Sequence, residues 1–124
     1  MALQEYAGAI VLEVDGKEVE VVDVNINTKT GRKPVKTMNS TGRLKGFARG
    51  ITEHDLSITV VIPLSGDLDW AGIEGAKLTI HPLSSGGKRE SYLDCFTIEV
   101  GEKYGVDNEA RRDLKLQSLR KVTE

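Results

Sequence analysis

Apolar residues in this chain recur mainly at every second position, in short runs cut by glycine, proline and Asp-Gly, and this spacing limits the fold more than any other feature. In an extended strand a period of two sends one set of side chains into a core and leaves the other in water. Ile10, Leu12 and Val14 alternate in this way, and Asp15-Gly16 follows as a pair that tolerates the positive φ of a tight hairpin. The return strand carries Val19 and Val21 on odd positions but Val22, Val24 and Ile26 on even ones. That switch predicts a bulge near Val21-Val22, or a strand that passes from one sheet to another. Leu56, Ile58, Val60 and Ile62 form a further strand closed by Pro63, and Leu78 and Ile80 repeat the pattern ahead of Pro82. Ser84-Ser85-Gly86-Gly87 is read as a reversal into a strand with Tyr92, Phe96, Ile98 and Val100 on one face and Leu93, Cys95 and Thr97 on the other. Leu114 and Leu116 mark the last strand. Residues 67–75 break the pattern: Asp67 is placed to cap about two turns of helix containing Trp70 and Ile73, with Gly75 ending it.

The expected fold is therefore mainly β, a sandwich or partly open barrel with one short α-helix and a long extended arm or hairpin loop. At 124 residues the chain makes one domain, 1–124. A domain of that size buries roughly two-thirds of its unfolded surface and needs no disulfide or metal to hold it. Cys95 is the single cysteine, so no intrachain disulfide or CxxC pair can form, and a reducing compartment is expected. No run approaches the roughly 18 apolar residues of a membrane helix, and the opening residues lack a basic-then-apolar secretion pattern, so a protein that binds no membrane by itself is expected.

Residues 25–50 are long, polar and punctuated by Gly31, Pro34, Gly42, Gly46 and Gly50, and are read as an arm. No Asp or Glu occurs between Asp23 and Glu53, whereas Lys29, Arg32, Lys33, Lys36, Arg43, Lys45 and Arg49 do. The formal net charge is only −2, which excludes a uniformly basic nucleic-acid binder; yet those seven cations leave 10 basic against 19 acidic residues elsewhere. Val35, Met38, Leu44 and Phe47 are spaced among the cations with nothing obvious to pack on. Three readings follow. A subunit-bridging arm accounts for both the charge split and the apolar residues. A nucleic-acid clamp accounts for the cations, although Phe47 is the arm's single aromatic and base stacking is poorly served. A solvated loop leaves the apolar residues exposed without a role.

Residues of catalytic type do not cluster. His54 in Glu53-His54-Asp55 and His81 before Pro82 have no metal-ligand spacing, and adjacent side chains on a strand point to opposite faces. Both are expected to be exposed or locally hydrogen-bonded. Cys95 lacks the electropositive setting of a reactive thiol and is read as a small apolar strand residue. The sequence contains no Gly-x-Ser-x-Gly elbow, phosphate loop or dinucleotide fingerprint, so neither catalysis nor a cofactor is expected. Asn39-Ser40-Thr41 fits a glycosylation sequon and is read as a turn.

The stretches Pro34-Val35-Lys36-Thr37-Met38-Asn39, residues 42–51 and 56–63, Tyr92-Leu93-Asp94-Cys95-Phe96 with Gly101 and Tyr104, and residues 109–116 together resemble phage tail tube proteins, most of all those of Mu-like and related phages. The resemblance implies a β-sandwich or open barrel whose inner strands join across hexameric rings, with rings stacked into a tube. It implies an arm, best matched by residues 25–50, reaching a neighbouring ring. Its further implications are sheath, tape-measure and terminator proteins as partners, DNA passing through the lumen without specific binding, and a place in the virion tail after assembly in the host cytoplasm. A DNA-binding β module using residues 29–49, or a related connector or secretion-tube ring, are the alternatives.

Overall fold

The computed structural model describes residues 3–6, 8–83 and 88–123. Among these residues ten strands run in chain order: β1 (Ile10–Val14), β2 (Lys17–Val19), β3 (Val21–Lys29), β4 (Arg32–Val35), β5 (Gly46–Arg49), β6 (Glu53–Val61), β7 (Glu74–Pro82), β8 (Glu90–Lys103), β9 (Arg111–Ser118) and β10 (Arg120–Thr123). The main sheet has the order β2-β1-β7-β8-β9-β6-β3, with β10 also on β8, and every pairing is antiparallel. Strands β4 and β5 form a separate two-stranded sheet.

Glu20 alone separates β2 from β3, yet these strands stand at opposite ends of the sheet order. A flat sheet cannot satisfy both facts, so the sheet curls on itself into a half-barrel. The corner sits where the residue pattern switches faces. Pairing of β3 with β6 slips between Val21 and Asp23, leaving Val22 as the extra residue of a bulge, 47% exposed, while Val21, Val24 and Ile26 all pack against the core. Of the two alternatives offered by the sequence the bulge occurs, whereas passage to another sheet does not: β2 and β3 belong to the same curled sheet.

The concave interior holds Leu12, Val14, Leu56, Ile58, Val60, Leu78, Tyr92, Cys95, Leu114 and Leu116, with Trp70 and Ala76 at its margins of burial. In β6 the alternation is strict: His54, Leu56, Ile58 and Val60 are buried while their neighbours face outward or lie half-buried. Each fully buried Leu or Ile contributes about 1.5–3 kcal/mol relative to exposure. The first hairpin turns through Asp15 (φ 51°) and Gly16 (φ 84°), two consecutive positive φ values, and brings Val14 opposite Lys17.

Two local expectations give way. Residues 67–75 form a single 3-10 turn, Trp70–Gly72, in place of two helical turns. Asp67 binds Arg112, Asp69 makes no side-chain cap, and Gly75 (φ +84°) lies inside β7 at a bulge against β8. Burial of the Trp70 ring, 3% exposed, decides the segment: the turn needs only to deliver that side chain to the core. The face assignment in β8 is also corrected. Asp94 adopts φ 55° and the pairing with β7 slips there, so Tyr92 and Cys95, three residues apart, are both buried. A second slip between Thr97 and Glu99 accompanies an exposed Ile98. The reversal read at 84–87 lies outside the described residues. Strand β10 was not anticipated; it continues β9 past Leu119, where the Ser118 hydroxyl bonds the carbonyl oxygens of Leu93 and Arg120 at 2.8 and 2.7 Å.

Candidate assembly surfaces

Between β3 and β6 the chain leaves the main sheet as a hairpin. Its neck is made by two glycines: the Gly50 amide donates to the Gly31 carbonyl at 2.7 Å, and Gly31 has φ +80°. A Cβ on Gly31 would lie 2.4 Å from the Ile51 carbonyl oxygen, and one on Gly50 would lie 2.7 Å from the Gly31 oxygen. Only glycine lets the two backbones approach this closely. Beyond the neck β4 and β5 pair through Arg32–Arg49, Lys33–Ala48, Pro34–Phe47 and Val35–Gly46. Cross-strand partners share a face, so Arg32, Arg49, Pro34 and Phe47 lie on one side of the ribbon. There the Arg49 guanidinium sits 5.4 Å from the Phe47 ring centroid, and Leu44 joins the same shallow hollow. The loop beyond is organised by Asn39, whose amide donates to the carbonyls of Thr37 (3.1 Å) and Arg43 (2.9 Å) and whose Oδ1 accepts from the Thr41 amide. The sequon is thus the core of a turn.

All the arm residues singled out from sequence except Lys29 are in this hairpin. Lys29 belongs to β3 in the main sheet, 3.6 Å from the Asp55 carboxylate. Val35, Met38, Leu44 and Phe47 are all exposed, Phe47 by 55% and Leu44 by 57%. Among the described residues Arg32, Lys33, Lys36, Arg43, Lys45 and Arg49 make no ion pair within the chain. Ile51, 82% exposed at the foot of the hairpin, was overlooked because it sits outside any alternating run.

A second surface is the outward face of β3, β6, β9 and β8. The registers align Asn25, Ser57, Lys115 and Glu99 in one row and Asp23, Thr59, Asp113 and Gly101 in the next. These residues, with Ile58 and Leu114 between the two rows, line a shallow concavity of about 460 Å³. Thr59 Oγ1 donates to Asp113 at 3.0 Å, and Lys115 lies 3.6 Å from Glu99. In these two rows three carboxylates face one ammonium.

A third surface is a cleft of about 350 Å³ between the β2–β3 corner and the segment 62–70, with Val19, Val61, Pro63 and Leu68 among its apolar walls and Glu18 and Glu20 on its edge. Arg112 holds one wall in place by bridging Asp67 in that segment and Glu102 in β8.

The residues of catalytic type are accounted for structurally. His54 is buried, with Nδ1 3.1 Å from Thr28 Oγ1 and its ring edge-on to Tyr92. His81 Nδ1 lies 3.3 Å from the Pro82 carbonyl, and Nε2 is 3.5 Å from Glu13. Cys95 is fully buried, its thiol bonded to the Tyr92 carbonyl, and burial is the main cause pushing its pKa up. Among the described residues no three His, Cys, Asp or Glu side chains gather as a metal site.

No protein-family model matches the sequence, and no curated protein does. Solved structures do. The sheath/tube terminator of the extracellular contractile injection system PVC matches with a TM-score of 0.75 at 12% identity, over 99% of both chains. The tube-terminating cap of the anti-feeding prophage matches with a TM-score of 0.71 at 11% identity, over 100% of this chain and 94% of that one. The SPP1 tail tube protein matches with a TM-score of 0.68 at 11% identity, over 93% of this chain and 74% of its own. With its curled sheet and projecting hairpin, this chain has the fold of the tube and tube-terminator subunits of phage tails and contractile injection systems.

Proposed function

We propose that the protein is a non-catalytic structural subunit of a phage or phage-like tail tube, assembling into hexameric rings that stack as a conduit. The observation that carries this reading is the hairpin, a two-stranded ribbon apart from the main sheet, displaying exposed apolar side chains and six cations that form no ion pair among the described residues. A monomer gains nothing from such an element, whereas identical copies with acidic bodies can cover it. Sheath, tape-measure and terminator proteins are the expected partners, in a tail assembled in the host cytoplasm. The outward rows around Asp23, Glu99 and Asp113 suit the lumen wall: their exposed side chains are polar, and their acidic excess has the sign of phosphate, so DNA is passed along rather than bound.

Negative-stain microscopy of the concentrated protein tests the reading. Wild type is expected to form rings and tubes. A variant with residues 31–50 replaced by Asn-Gly should keep the half-barrel and its circular dichroism yet fail to stack. A wild type that stays monomeric at every concentration, with terminator and tape-measure partners supplied, overturns the tube; tubes from the shortened variant overturn the arm. The full-length similarity to a terminator favours a second placement, in which rings form but do not grow into tubes. The cations that form no ion pair among the described residues favour a third, a DNA clamp. There, changing Lys33, Lys36, Arg43 and Lys45 together to Ala should abolish a salt-sensitive gel shift and leave oligomers intact.

A further inference from the structure

The hairpin and the cleft lie at opposite ends of one strand pair. Strands β3 and β6 each contain nine residues, a span of about 26 Å. The hairpin leaves at the Lys29–Glu53 end, and the cleft opens at the Val21–Val60 end. Their chemistry is complementary. The hairpin face presents Leu44 and Phe47 flanked by the Arg32 and Arg49 guanidinium groups. The cleft is lined by Val19, Pro63 and Leu68 together with Glu18 and Glu20, and among the described residues Lys17 is the one cation on its lining. Among the described residues neither glutamate forms an ion pair, and the other carboxylate at the cleft, Asp67, is already engaged by Arg112. From these observations we infer that the cleft at the β2–β3 corner is the receptor for the hairpin of a second copy, with Leu44 and Phe47 seated on the apolar wall and Arg32 and Arg49 meeting Glu18 and Glu20. This deepens the tube reading and rests on it.

Donor and receptor are different patches at opposite poles, so the contact is heterologous. Each copy that offers a hairpin leaves its own cleft open for the next, and the series grows along the β3–β6 direction without closing on itself. Longitudinal stacking thereby acquires a polarity, with bare clefts at one end and bare hairpins at the other.

Charge exchange tests the joint. Glu18→Lys with Glu20→Lys reverses the receptor, and Arg32→Glu with Arg49→Glu reverses the donor; all four side chains are exposed, and circular dichroism checks the fold. Either double variant alone should raise the concentration needed for tubes by about tenfold or more, because like charges are then juxtaposed. An equal mixture should restore tubes, since every wild-type hairpin finds a wild-type cleft and every reversed hairpin a reversed cleft. Tubes from the receptor variant alone at the wild-type concentration, or no recovery in the mixture, overturn the joint while leaving the tube reading standing. If wild type forms no tubes, the tube reading falls and a second measurement decides the joint. Copies carrying Phe47→Cys mixed under mild oxidation with copies carrying Leu68→Cys should give a one-to-one disulfide dimer absent from either alone, and failure to cross-link overturns the docking.

Discussion

Gly31 and Gly50 control the hairpin from its base. An Ala at 31 must take φ +80° and place its Cβ against the Ile51 carbonyl, at a local cost of about 1–3 kcal/mol. The hairpin contributes nothing to the buried core, so this cost falls on closing the neck and not on global stability. Gly31→Ala should therefore speed amide exchange at Gly50 roughly tenfold to a hundredfold, with Tm nearly unchanged; a large fall in Tm would show that the hairpin supports the core. Core residues behave in the opposite way. Ile58, 1% exposed between Val24 of β3 and Leu114 of β9, should cost about 2–5 kcal/mol when changed to Ala, lowering Tm by roughly 10 °C or more in calorimetry. The Cys95 thiol titrates above its ordinary pKa because burial disfavours the thiolate, so little thiolate exists near pH 8. Labelling by an aromatic disulfide reagent should be slow in the native protein and rapid after denaturation; rapid native labelling would contradict the buried placement.

At the level of elements, the hairpin behaves as a separate unit. Among the described residues its strands pair with each other and with no strand of the main sheet, whereas β6 and β9 are paired on both sides within that sheet. In dilute protein the β4–β5 amides should exchange orders of magnitude faster than those of β6 and β9, and should gain protection when tubes form. Mass-spectrometric hydrogen exchange checks this, and unchanged hairpin exchange on assembly would remove the arm from the interface. Strands with one buried face were legible because alternation is enforced wherever one side meets a core; β6 follows it residue by residue, and β1 and β9 follow it from Leu12 and Asp113 onward. Strands β4 and β5 were not legible as strands, since both faces are exposed and nothing imposes a period. The 3-10 turn was misread as a helix because Trp70 and Ile73 sit at helical spacing, while the partner that takes Asp67 away from capping, Arg112, is 45 residues distant.

Across the whole molecule, electrostatics and shape set the terms of assembly. Exposed cations on the hairpin and exposed carboxylates on the body attract over about 10 Å at 0.1 M salt and over about 3 Å at 1 M. The concentration required for tubes should therefore rise across that range, as read by sedimentation; assembly that strengthens with salt would point to apolar contacts alone. The amino-acid order by itself determined the β class, the first hairpin, the switch of faces at Val21-Val22 and the separation of a basic segment from an acidic body, because each is a local pattern of side-chain type. Tertiary structure decided the rest: that β2 and β3 close the ends of one curled sheet, that the cations stand on a ribbon narrowed by two glycines, and that an apolar cleft with acidic edges lies at the opposite pole. Those features depend on which distant strands meet and on the bulges that let them meet, and strand pairing is a contact between residues that no local period encodes.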